Sequence, residues 1–190
     1  DRSQHRFGHR GRARNHQGEL VLHGSGMPIG DSRKQRSCSP NAVVSSGLTL
    51  PVWVAAAARA ALCTLLKQPF ASHQPLVLPD REDPLPVPVI SSAPLGDGSS
   101  ALAISHCDPG PGLDLTRGLE IWVHAEWVSE QREAIELIAG EGVGRHGSSG
   151  ALCISSFARH LVFDNLTPLL PEGRQLRLEL VFPRGRDLAE

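Results

Sequence analysis

Apolar and polar positions alternate most clearly over residues 119–127, where Leu119, Ile121, Val123, Ala125 and Trp127 interleave with Glu120, Trp122, His124 and Glu126. A period of two sends successive side chains to opposite faces, so this segment predicts a strand with one core face and one mostly polar face. Short apolar runs bounded by Pro, Gly, Ser and Asp predict further strands at residues 76–78, 87–90, 101–104 and 133–139. Leu176, Leu178, Leu180 and Phe182 mark a final one. Pro86 and Pro88 confine their segment to a sheet edge, because proline has no N–H to give to a ladder.

Two helices are expected. An alanine-rich run over residues 52–66 follows the small-polar cluster Ser45-Ser46-Gly47 and a proline, Pro51, suited to a first helical turn. Its alanines permit close approach to a sheet, and Arg59 and Lys67 can extend their charges to solvent or a ligand. Gln68-Pro69 ends it. A shorter helix is expected over residues 155–163. Strands outnumber helices and lack a strand–helix–strand rhythm, which predicts an α+β fold: a two-layer sandwich, its sheet mixed or mostly antiparallel, with helices packed on one side.

Residues 1–45 break this pattern. They mix Arg, His, Gly, Ser and Gln with few large apolar residues, so they read as a disordered basic arm or a non-native leader, and the domain spans residues 46–190. The single methionine, Met27, suggests that residues 1–26 are upstream sequence. At the other end, Asp187 resembles the cap of a helix barely begun, and the domain is expected to continue past Glu190.

Charge changes the picture in one respect. Residues 1–40 hold eight basic side chains against three acidic ones, which leaves eleven basic and seventeen acidic in the rest, out of totals of 19 and 20. An acidic body gives no electrostatic support for binding nucleic acid. No apolar run approaches the roughly 20 residues of a membrane span, and no basic–apolar–small secretion signal opens the chain, so a soluble cytoplasmic protein without a membrane partner is expected. Cys38, Cys63, Cys107 and Cys153 lie far apart without a C-x-x-C pair, and the nine histidines show no ligand spacing. Reduced thiols, with Cys63 buried on the first helix, and no metal site follow.

Candidate chemistry gathers in two loops. The first, residues 105–118, contains His106, Asp108, Asp114, Thr116 and Arg117, more ionisable groups than a simple hairpin needs. Its bland alternative is turn chemistry, with Asp108-Pro109-Gly110 as an ordinary turn and Asp114 bonding its own backbone through Thr116. The second, residues 140–150, contains Glu141, Gly142, Gly144, Arg145 and His146 directly after a strand. Its glycines let backbone approach a ligand, and N–H groups with an arginine suit anions, although a flexible connection would also need glycines. The G-x-G-x-G spacing is neither a dinucleotide fingerprint nor a P-loop.

Three segments in this order resemble the CbiD family of cobalt-precorrin-5B C(1)-methyltransferases. Gly47-Leu48-Thr49-Leu50-Pro51 with the following alanine run is similar to the family's Gly-x-Thr-Thr-Gly turn and helix. Asp114-Leu115-Thr116-Arg117-Gly118-Leu119-Glu120-Ile121 resembles its Asp-Val-Thr-His-Gly-x-Glu-Ile segment, and Gly140-Glu141-Gly142-Val143-Gly144-Arg145 matches its Gly-Glu-Gly-Val-Gly-Arg loop. Leu50-Pro51 replaces the usual Thr-Gly, and His106-Cys107 stands where Lys-Asp is commoner.

The resemblance implies methylation of C-1 of cobalt-precorrin-5B, with S-adenosylmethionine as donor, in anaerobic cobalamin assembly. It also implies a chain about twice as long as the ordered part. Arg117, Arg145, His106 and His146 are then expected to clamp the carboxylate arms of a cobalt-precorrin, alongside Thr116, Gly142 and Gly144 in the substrate site. Asp108, Asp114 and Glu141 are expected to orient the basic groups, steady the sulfonium or accept a proton, and nothing in the sequence ranks these roles. A noncatalytic tetrapyrrole-binding or assembly subunit is the alternative.

Overall fold

The structure is a computed structural model that describes residues 48–111, 114–147, 150 and 152–185, all within the unit Asn41–Glu190. The expectations for residues 1–45, for Cys38 and for Asp187 lie outside the described residues.

Helix α1 (Leu50–Leu65) begins after Thr49 with Pro51 in its first turn, where a missing N–H costs nothing. Nearly all of it is buried, from Val52 through Ala58 without interruption. A helix that is apolar all round cannot face water, and its alanines let it lie close on a sheet. It packs on three strands of the main sheet, on a smaller two-stranded ribbon and on helix α2 (Ser156–Leu166). Ser155 caps α2 by accepting from the Ala158 N–H at 3.1 Å, and a 3-10 turn, Thr167–Leu169, follows.

The strands are β1 (His73–Leu76), β2 (Leu85–Pro88), β3 (Ser91–Leu95), β4 (Ser100–His106), β5 (Glu120–Val128), β6 (Ile135–Ala139) and β7 (Gln175–Val181). The first two form an antiparallel ribbon. The others form a sheet in the order β3-β4-β5-β7-β6, antiparallel throughout except for the parallel pair β6–β7. This is an α+β arrangement with helices against one sheet face. The alternation read in β5 holds: Ile121, Val123 and Ala125 are wholly buried, and β5 is the middle strand. On the opposite face Arg177 bridges Glu126 at 3.1 Å and Glu136 at 2.8 Å across neighbouring strands.

Several boundaries move for tertiary reasons. The segment read as one strand over residues 87–90 divides, because Val89 N–H bonds Ser72 O in the ribbon while Ile90 N–H bonds Ile104 O in the main sheet. The chain changes sheet there and continues as β3. The strand read at 76–78 starts earlier, and Val77 pairs instead with the Asn165 side chain, which accepts from Val77 N–H at 2.7 Å and donates to Val77 O at 3.0 Å. Helix α2 runs three residues past Phe163, to Leu166. Cys63 is only half-buried, and Cys107 is the buried thiol. Among the described residues no helix is long and apolar enough to cross a membrane, and no group of three or more His, Cys, Asp or Glu could hold a metal ion.

Candidate functional site

The first loop leaves β4 at His106, directly opposite Glu120 in the β4–β5 register, and His106 Nε2 lies 3.3 Å from Glu120 Oε1. Next to it, Ser105 is buried and donates to Trp53 O of α1 at 3.1 Å, which fixes the strand end to the helix. Cys107 closes the loop base: its N–H bonds Leu119 O, and its carbonyl accepts from Gly118 N–H. Its thiol lies 3.4 Å from Thr116 Oγ1, and burial pushes that thiol's pKa up.

Within this frame the acids build turns. Asp108 accepts from Gly110 N–H at 3.0 Å, and Asp114 accepts from both the N–H and the hydroxyl of Thr116, at 2.8 and 2.7 Å. These two bonds hold the exposed Asp114 carboxyl below its ordinary pKa, since hydrogen bonds to the charged form favour it. Arg117 donates to Gly110 O and lies 3.8 Å from Asp108. Asp108, Asp114, Thr116 and Arg117 therefore sit together at one loop, with the two aspartates engaged in Asx-type turn bonds.

The second loop leaves β6 beside the exit of β7. Gly140 N–H continues the parallel ladder to Leu180 O at 2.7 Å, and a Cβ on Gly140 would stand 2.7 Å from that same oxygen. Gly142 has φ +70, and a Cβ there would run into the Phe182 carbonyl. Phe182 N–H in turn bonds Glu141 O at 2.9 Å. A Cβ on Gly185 would meet Gly142 O, whereas one on Gly144 would find only Cys153 Cβ, at an ordinary 3.6 Å. Two of the loop's glycines thus answer to backbone packing, and Gly144 does not.

Arg145 turns back across the loop and donates to Ala139 O, and an antiparallel bridge ties Arg145 to Leu152. Glu141, Arg145 and His146 are exposed. Residues 140–145, with Glu179 and Gly185, line a polar hollow of about 600 Å³. Behind it, Leu50 and Val54 of α1, Leu152, Ile154, Ala158 and Phe182 line an apolar cavity of about 190 Å³, and Val143 belongs to both walls. Glu179, Gly185 and this cavity are not marked by any motif, and Phe182 is marked only as an apolar position of the final strand. The local cue to this region is the turn-forming run Pro183-Arg184-Gly185.

Strand registers relate the two loops. Trp122 pairs with Val181, and Leu180 pairs with Ala139, so the start of β5, the end of β7 and the end of β6 share one sheet end with the end of β4. Both loops leave from that end. The strands nearest to each other, β5 and β6, are two strand spacings apart, about 10 Å, with β7 between them.

Comparison with known proteins places the chain among relatives. A family model described as CbiD matches residues 38–190. A cobalt-precorrin-5B C(1)-methyltransferase of Prochlorococcus marinus strain MIT 9303 is 58% identical over 153 residues, covering 75% of this chain and 40% of the relative. One from Synechococcus sp. strain CC9902 is 58% identical over 146 residues, covering 77% of this chain and 40% of the relative. Another, from Prochlorococcus marinus strain SARG, is 44% identical over 154 residues, covering 76% of this chain and 40% of the relative. No solved structure matches. The chain spans about two-fifths of the length of these relatives, and with most of its residues matched by the family model it belongs to the CbiD family.

Proposed function

We propose that this chain forms the substrate-gripping part of a cytoplasmic cobalt-precorrin-5B C(1)-methyltransferase, which converts cobalt-precorrin-5B to cobalt-precorrin-6A in anaerobic cobalamin assembly. The observation that carries the reading is the departure of both motif loops from one end of the sheet. Relatives bearing that enzyme's name support it.

The substrate is a ring with several carboxylate arms. Arg117 and Arg145 are exposed, and each is steadied by a backbone carbonyl, which limits the rotamer freedom lost on gripping an arm. A guanidinium has five donors, and the bond from Arg145 to Ala139 O uses one. His106 and His146 add ring N–H donors at the same sheet end, with Thr116, Gly142 and Gly144 lining the approach.

S-adenosylmethionine, when bound, supplies the methyl group: its S–CH₃ bond breaks with the electron pair left on sulfur, and a bond forms to ring C-1 using the ring's electrons. The ring then sheds one proton. Of the three acids, Asp114 is the poorest acceptor because two hydrogen bonds already hold it in its charged form. Asp108 bonds Gly110 and neighbours Arg117, so it orients that clamp. Glu141 is exposed in the polar hollow, its carboxylate without a partner among the described residues, and is the group we assign to take the proton. The apolar cavity and polar hollow offer a donor of mixed polarity a matching surface, so the residues present fit it.

The test replaces the matching segment of the strain MIT 9303 relative with residues 38–190 of this chain and follows formation of methylated corrinoid and S-adenosylhomocysteine. Transfer should proceed, and in the chain outside the chimaera Arg145→Ala should weaken binding of cobyrinic acid, a heptacarboxylic corrinoid, by about 5- to 150-fold, the worth of 1–3 kcal/mol for a charged hydrogen-bonding partner. Unchanged affinity in that variant refutes the clamp.

A further inference from the structure

We propose that the apolar cavity behind Val143 receives the adenine of the methyl donor while the polar hollow on the other side of Val143 receives its charged end. This assignment rests on the methyltransferase reading above. Size is the first argument. Small-molecule sites run to about 300–1,000 Å³. The cavity, at about 190 Å³, is too small for a whole nucleoside-amino acid conjugate but suits one flat ring system, and the hollow beside it adds about 600 Å³.

Chemistry gives the orientation. No charged side chain lines the cavity, whose walls are Leu50, Val54, Leu152, Ile154, Ala158 and Phe182. It is also flanked by the first turns of α1 and α2, where the partial positive charge of a helix start opposes a sulfonium and suits the acceptor nitrogens of a neutral purine. The hollow is the reverse. It presents the Glu179 carboxylate to an ammonium and a sulfonium and the glycine backbone of residues 140–144 to a carboxylate, which leaves Glu141 and Arg145 to the ring. Val143 divides the two at the place where a ribose would join them.

Cys153 provides the reporter. It lines the cavity and is exposed, whereas Cys107 is buried and Cys63 is half-buried. The chain is treated with iodoacetamide and Cys153 carboxamidomethylation is timed by peptide mass spectrometry. S-adenosylhomocysteine and 5′-methylthioadenosine should each slow it about tenfold at about ten times Kd, as occupancy dictates, and methionine should not. Ala158→Leu, which grows into the cavity, should abolish protection while the unliganded rate and the thermal unfolding midpoint hold. If that variant unfolds, Leu152→Phe fills the same space from a half-buried loop position. Absence of protection by the adenosyl compounds, protection by methionine alone, or protection that survives a folded cavity-filling variant overturns the assignment. Cobyrinic acid titrated into the same chain separates the two readings. Binding of the corrinoid without adenosyl protection removes the cavity assignment alone, and loss of both removes the methyltransferase reading as well.

Discussion

Replacing Gly142 with alanine should cost the domain roughly 2–5 kcal/mol, although the change adds one methyl group on a surface loop. Two terms contribute. The residue sits at φ +70, where an L side chain crowds its own backbone at a cost of roughly 1–2 kcal/mol. The new Cβ also points into the Phe182 carbonyl, and relieving such an overlap by backbone movement typically costs roughly 1–3 kcal/mol. That movement is not local. Phe182 N–H bonds Glu141 O, and Gly185 lies against Gly142 O, so displacement would open the junction between the β6 and β7 exits. Urea unfolding followed by tryptophan fluorescence measures the loss, and each kcal/mol should lower the melting temperature by roughly 2–4 °C in a domain of this size. Gly144→Ala is the control: its Cβ meets only Cys153 at van der Waals distance, and its expected change is within about 0.5 kcal/mol. Equal stability of the two variants would refute the packing argument and return Gly142 to the group of glycines explained by ligand approach alone.

Two further outcomes follow from polar groups held by the packed helices and strands. Asn165→Leu removes the side-chain partner of both Val77 backbone groups, and because Val77 is 55% exposed water recovers part of the loss, so roughly 1–3 kcal/mol is expected in urea unfolding, and a change below about 0.5 kcal/mol would show that water replaces the amide fully. Burial raises the Cys107 thiol pKa, so the folded state favours the protonated form; its contribution is complete below the unfolded value of about 8.5 and is lost as pH rises through the higher folded value. In a Cys63→Ser background, unfolding free energy should therefore fall more steeply between about pH 8 and 10 with Cys107 than with Cys107→Ser, and parallel curves would refute it.

Much of the scaffold was legible because its signals are local. The strict alternation around Ile121 and Val123 marks a half-buried strand wherever that strand sits, and an alanine run with proline in its first turn marks a buried helix. The two loops stood out for the same reason, as clusters of Gly, Asp and Arg at strand ends. Other features depend on distant partners. Nothing near Val89 and Ile90 tells that one bonds Ser72 and the other Ile104, so the division of that strand was not readable. Asn165 looks like any polar helix residue until Val77, 88 positions away, is placed beside it. The aspartates of the first loop were readable as turn formers, and the bonds to Gly110 and Thr116 agree with that plain reading.

The sequence by itself determined the element types, the inward face of β5 and the residue content of both loops, since periods of 2 and 3.6 and turn chemistry act over a few residues. Only the tertiary structure decided that those loops share one sheet end. That follows from β7 entering between β5 and β6, antiparallel to the first and parallel to the second. Strand order is set by long-range pairing and by which apolar faces must be covered together, and no local period encodes it. The same placement explains Gly140 and Gly142, which are small because a strand exit about forty residues later lies against them.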